Sequence, residues 1–264
     1  MKTIDVNGIR VRYQVEGTGP WVTLSHSLTC DLSMWDELAV SLAPAFTVLR
    51  YDTRGHGGTG LADSAPDGAY SFEQLTADLT GLLDTLKIER THFLGLSMGG
   101  MIGQHFALAA PQRLSKLVIA NSTSRIPPEA GPLWDERIAI VRGQGCAGLI
   151  EGTLGRWFTP GFRASRPDVM QRIGKLIAAT PPAGYIGCAG AIRALDITVR
   201  IGAIAAPTLV IAGADDPGTP PPMSEVIAAT ISGARLEIIP SASHLSCIEQ
   251  PEIFNRLVAD FLKG

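Results

Sequence analysis

One stretch constrains this chain more than any other: THFLGLSMGGMIGQHFALAA, residues 91–110. THFLGL (91–96) reads as a short buried strand, and MGGMIGQHFALAA (98–110) as a helix ended by Pro111. Ser97 stands alone between them, with glycines at 95, 99 and 100. Gly-Xaa-Ser-Xaa-Gly can be an ordinary strand-to-helix turn, in which glycine accepts positive φ and lets backbones approach. In a strand–turn–helix setting it also predicts a nucleophile elbow, with the serine exposed on a strained turn. Such a serine needs a base and an acid from elsewhere in the chain.

The remaining sequence alternates strands and helices. TIDVNGIRVRYQV gives two alternating runs around Asn7-Gly8, a hairpin signal. Ile9, Val11, Tyr13 and Val15 are expected on one face, with Arg10, Arg12 and Gln14 on a wet face opposite. WVTLSH (21–26) and FTVLRYD (46–52) read as the third and fourth strands, with a helical segment around Met34–Leu42 between them. Ser71 and Gln74 form a capping box ahead of a helix whose leucines 75, 79, 82, 83 and 86 share a face. LSKLVIANS (114–122), APTLVIAGA (206–214) and ARLEIIP (234–240) supply the last strands, and PEIFNRLVADFL (251–262) a closing helix. This order implies a mainly parallel eight-stranded sheet covered by helices on both faces. Residues 123–203 break the rhythm with helical segments and turn clusters but no clear strand. They are expected to form a helical cap between two parts of one core domain, residues 1–122 and 204–264. A cap there would close over the C-terminal edge of the sheet, where open α/β folds bind ligands.

Composition narrows the function. A length of 264 residues with 45% hydrophobic and 18% charged residues suits one large globular domain. A net charge of −3 provides no basic field for nucleic acid or an anionic membrane. The amino-terminal residues lack a signal-peptide core, and the longest apolar stretch, IGAIAAPTLVIAGA, is short and broken by Pro207. A soluble, cytoplasmic protein is expected, acting on a small molecule with neither nucleic acid nor membrane as partner; homo-oligomerisation is left open. Cys30, Cys146, Cys188 and Cys247 are scattered, which predicts reduced thiols. No metal-ligand spacing or phosphate loop is present, so no cofactor or metal is expected.

In α/β-hydrolases the chain order is serine, acid, histidine. Of the five histidines only His105 and His244 follow Ser97, and His105 lies in the helix directly after the elbow. His244, in the loop SASHLS, is the expected base. GADDPGTP offers the acid: Asp216, three residues after Gly213, with Asp215 as alternative, since one of the pair can be a turn former. The oxyanion needs two backbone N–H groups, one from Met98 and one from the loop HSLT, with Leu28 the best placed donor and Ser27 its alternative. His26 is read as a hydrogen-bonded structural residue shaping that loop. In the cap, Trp134, Arg137, Arg156 and Trp157 are expected to face the core. Arginine holds a carboxylate with parallel hydrogen bonds, and tryptophan walls an apolar pocket. The alternative for each arginine is solvation or pairing with Asp135 or Glu136.

LSHSLTCDLSMW, VLRYDTRGHGGTG, HFLGLSMGGMIG, RWFTPGFR, VIAGADDPGTPP and SASHLSCIEQPEIF together resemble α/β-hydrolases of the 3-oxoadipate enol-lactonase group, over essentially the whole chain. The resemblance implies an α/β-hydrolase fold with an inserted cap lining the substrate pocket. It also implies a triad of Ser97, Asp216 and His244, and opening of 3-oxoadipate enol-lactone to 3-oxoadipate. Ser25-His26-Ser27 departs from the Ser-Asn-Ser of that group and the His-Gly of α/β-hydrolases in general. Ser27 is placed with the substrate-binding residues. The residues by themselves leave open a general carboxylesterase or lactonase, a serine C–C hydrolase, and a low-turnover ligand-binding relative.

Overall fold

Asn7 and Gly8 both take positive φ, 48° and 76°, the mirror-image turn whose twist matches two flanking strands. β1 (Lys2–Val6) and β2 (Ile9–Glu16) therefore pair antiparallel, with Val6 opposite Ile9. The computed structural model describes residues 1–61 and 70–264. On β2 the expected two faces hold only in part. Ile9, Val11 and Tyr13 are buried, but Val15, one residue from the strand's end, is exposed. Arg12, expected in solvent, is half-buried because the segments after β2 fold over it: its guanidinium pairs with Asp31 at 2.7 Å and with Asp52.

The sheet continues with β3 (Trp21–Ser25), β4 (Thr47–Tyr51), β5 (Thr91–Leu96), β6 (Leu114–Ala120), β7 (Thr208–Gly213) and β8 (Arg235–Ile239). Its order is β1-β2-β4-β3-β5-β6-β7-β8. β2 runs antiparallel to both neighbours, and every other pairing is parallel. The chain therefore steps from β3 outward to β4 and later inward to β5. That reversal opens a crevice at the C-terminal ends of β3 and β5, the place where open α/β sheets bind ligands.

Helices α1 (Asp36–Leu42), α2 (Phe72–Thr85) and α3 (Met98–Ala109) connect the early strands. Ser71 Oγ accepts from Gln74 N–H at 3.1 Å and starts α2, whose Leu75, Leu79, Leu82 and Leu83 are buried. Between β6 and β7 run α4 (Gly131–Gln144), α5 (Ile150–Trp157), α6 (Pro160–Ser165), α7 (Pro167–Ala179) and α8 (Pro182–Arg193). This segment adds no strand to the sheet. Its stem is clipped by Ile126 N–H to Leu195 O and Ile197 N–H to Ser124 O, both 2.9 Å. The chain ends with α9 (Pro221–Thr230), α10 (Ser246–Glu249) and α11 (Pro251–Lys263). α1 packs beside α11 and α2 beside α3. Among the described residues no helix is long and apolar enough to cross a membrane, and the four cysteines are buried free thiols.

Candidate active site

Ser97 sits at φ 56°, ψ −116° between β5 and α3, a conformation that a residue with a Cβ adopts only under strain. β6 holds it there: Ser97 N–H donates to Ala120 O (2.9 Å) and Ser122 Oγ donates to Ser97 O (2.8 Å). The flanking glycines answer a steric demand. A Cβ on Gly95 would lie 2.0 Å from Gly99 O, and one on Gly99 would lie 2.1 Å from Ser25 O. The elbow thus closes only where α3 can press against the ends of β3 and β5.

His244 follows β8, immediately before the short helix α10. Its Nδ1 lies 2.8 Å from Asp216 Oδ2. Asp216 follows β7, and the His244 loop crosses that strand end, where a Cβ on Gly213 would lie 2.3 Å from Ser243 O. Asp216 is buried and accepts on both oxygens: Oδ1 from Gly218 N–H (2.8 Å) and Thr219 N–H (3.0 Å), Oδ2 from Thr219 Oγ1 (2.7 Å) and Asn121 Nδ2 (3.0 Å). Burial pushes its pKa up, but His244 and these donors together hold the carboxyl below the usual carboxylate range. Asp215, the alternative acid, is exposed and makes no contact with His244 among the described hydrogen bonds.

Ser97 and His244 line one cavity of about 220 Å³, together with Ser27, Leu28, Thr29, Met101 and Thr219 of the core. The opposite wall comes from the inserted helices. Trp134 and Arg137 on α4, and Arg156 and Trp157 on α5, all reach it, as does Tyr185 on α8. Trp157 stacks on His244 with ring centroids 6.0 Å apart. The end of α5 is bonded to the histidine loop through Ser243 Oγ to Arg156 O (2.8 Å) and Leu245 N–H to Trp157 O (3.2 Å). Arg137 lies over the Trp134 ring, 5.0 Å from its centroid. Asp135 turns away to Arg193, and Glu136 acts on Arg137 only through its longer-range field, so neither Arg137 nor Arg156 forms an ion pair among the described residues. Burial lowers the pKa of both guanidiniums, and at Arg156 the charge of Arg137 adds to the effect.

The α/β-hydrolase fold profile matches residues 20–251. This chain belongs to the α/β-hydrolase family. The hydrolase is 35% identical to 3-oxoadipate enol-lactonase 2 of Acinetobacter baylyi, over 99% of this chain and 96% of that one. Among solved structures it resembles the enol-lactonase of Burkholderia xenovorans (TM-score 0.94, 39% identity, all of both chains). It also resembles a thermophilic esterase of Thermogutta terrifontis, solved with malate bound (TM-score 0.93, 28% identity, 100% of this chain and 98% of that one).

Asn121 escaped the sequence reading. It follows the last residue of β6, at φ 42°. Its Nδ2 donates to Asp216 Oδ2 and to Ser243 O (3.2 Å), while its Oδ1 accepts from Ser246 Oγ (2.6 Å). The one available signal was an asparagine at the end of an apolar strand, a residue type that tolerates positive φ. Glu249 was missed too. It accepts from Thr159 N–H and Oγ1 (both 2.8 Å) and from Ser243 N–H, joining the inserted helices to the histidine loop. Asn121→Ala should leave a buried serine hydroxyl and a carbonyl unpaired. A loss of about 1–3 kcal/mol in unfolding free energy is expected, read from urea denaturation.

Proposed function

We propose that this hydrolase opens a small carboxylate-bearing lactone, 3-oxoadipate enol-lactone first, with Ser97, His244 and Asp216 as its triad and the inserted helices of 123–203 as a cap. One observation carries the substrate reading: two arginines without acidic partners line the cavity that holds Ser97 and His244. Two like charges half-buried side by side are costly unless an anion joins them. Enol-lactonase relatives, and an esterase relative solved with malate, support the same ligand chemistry.

His244 Nε2 takes the proton of Ser97 Oγ as the oxygen bonds to the lactone carbonyl carbon. Nδ1–H toward Asp216 fixes the tautomer that leaves Nε2 free to accept. The oxyanion turns to the N–H groups of Met98, unpaired at the first turn of α3, and of Leu28. Collapse breaks the ring C–O bond, His244 returns the proton to the leaving enol oxygen, and the enol tautomerises to a ketone. Water, deprotonated by His244, then cleaves the acyl-enzyme and frees Ser97 and the acid. Arg137 and Arg156 hold the carboxylate the lactone already carries against Trp134 and Trp157.

Comparing the enol-lactone with its methyl ester tests this. Wild type should prefer the acid in kcat/KM, and Arg137→Ala or Arg156→Ala should erase a preference of roughly 10–100-fold, the worth of one charge-assisted hydrogen bond. If wild type prefers the neutral ester, the protein is a general esterase.

A further inference from the structure

His26 is fully buried and both of its ring nitrogens are engaged. Nε2 lies 2.9 Å from Thr53 N, which can only donate, so Nε2 accepts and the ring proton sits on Nδ1. Nδ1–H then donates to Ser27 O at 2.7 Å. A ring that accepts at Nε2 is neutral, and burial lowers its pKa in the same sense. Ser27 O accepts a second bond from Cys30 N–H (3.1 Å), closing a turn over Ser27–Cys30. Thr29 within that turn has φ 59°, an uncommon state for a β-branched residue, which marks the turn as held by its surroundings rather than by local preference.

A trans peptide points its N–H opposite its C=O. With the Ser27 carbonyl gripped by His26 and Cys30, the N–H of the same peptide, that of Leu28, must face the other way. Ser27, Leu28 and Thr29 all line the cavity. We infer that His26 is a positioning residue: by gripping the Ser27 carbonyl it aims the Leu28 N–H at the oxyanion. Thr53, which follows β4, carries the other end of the ring, so the aim of the donor depends on a loop outside the cavity. The inference rests on the serine-hydrolase reading above, but not on which ester is the substrate.

Two variants separate the two hydrogen bonds. In His26→Asn the side-chain amide reaches the place of Nδ1 and can still donate to Ser27 O. In His26→Gln the amide reaches the place of Nε2 and serves Thr53, leaving Ser27 O without its side-chain donor. The readouts are kcat and KM on p-nitrophenyl acetate, and inhibition by an aryl trifluoromethyl ketone, which a serine captures as an alkoxide. The Gln variant should lose roughly 10–100-fold in kcat with KM nearly constant, a fraction of the loss from deleting an oxyanion donor. Its affinity for the ketone should fall by the same factor. The Asn variant should stay within about fivefold of wild type in both readouts, the grip on Ser27 being kept. Equal behaviour of the two variants, or a fall in kcat without a fall in ketone affinity, overturns the inference. If the Gln protein does not fold, the Asn protein decides alone: loss of its ketone affinity overturns the inference and retention supports it. Wild-type protein that turns over no ester defeats the serine-hydrolase reading and takes this inference with it.

Discussion

Ser97→Ala is expected to remove ester and lactone turnover almost completely, by roughly 10⁴–10⁶-fold in kcat, while the protein stays folded. Alanine keeps a Cβ, so the strain at φ 56° is unchanged, and the backbone bonds to Ala120 O and from Ser122 Oγ need no side chain at 97. Ser97 is buried, but it lines the cavity and its hydroxyl makes no hydrogen bond among the described residues, so stability should match wild type within about 0.5 kcal/mol. Ser97→Gly is the informative companion, since glycine accepts positive φ without penalty and should raise the melting temperature while being equally inactive. A fluorophosphonate should label wild type at Ser97 alone. Turnover surviving in the alanine protein, or labelling at another serine, would remove Ser97 as nucleophile.

Asp216→Asn should follow closely, with a loss on the order of 10⁴ in kcat by analogy with serine proteases. The amide has no comfortable orientation. With its NH₂ on the Oδ2 side it donates toward His244 Nδ1 and imposes the wrong tautomer. With its NH₂ on the other side it faces the N–H groups of Gly218 and Thr219. Both catalysis and stability should fall. Asp215→Asn, on an exposed side chain, should stay close to wild type in each. The carboxylate also makes stability depend on pH. Its folded pKa lies below the unfolded one, so its contribution is present above about pH 4 and disappears as pH falls through the folded value. The Asn protein should lack that acid-limb dependence in urea titrations between pH 3 and pH 7. Equal, mild effects of the two substitutions would refute the assignment of Asp216.

Much of this was legible in the chain because it is local. The eight strands announced themselves as short apolar runs, and Asn7-Gly8 and Ser71-Gln74 as turn and cap chemistry, since period and dihedral preference act within a few residues. The elbow was legible in part for the same reason: Gly95 answers the carbonyl of Gly99 in its own turn, whereas Gly99 answers the carbonyl of Ser25 on another strand. What depends on which separate segments come together in space was not legible. The spacing from Gly213 put Asp216 ahead of Asp215 but left Asp215 open; the loop after β8, crossing the end of β7, buries Asp216 and leaves Asp215 in solvent. Nothing local shows that Asp135 turns to Arg193 and leaves Arg137 beside Arg156 without an acid. Arg12 has the alternation of a surface arginine, yet Asp31 and Asp52 come over it. Asn121 and His26 owe their roles to which carbonyl, carboxylate or amide other segments set against them. Sequence patterning determined the elements and singled out the candidate side chains Ser97, Asp216 and His244, because these signals are largely short-range. Tertiary packing decided charge pairing, donor direction and the pocket wall, because those depend on the register of elements far apart in the chain.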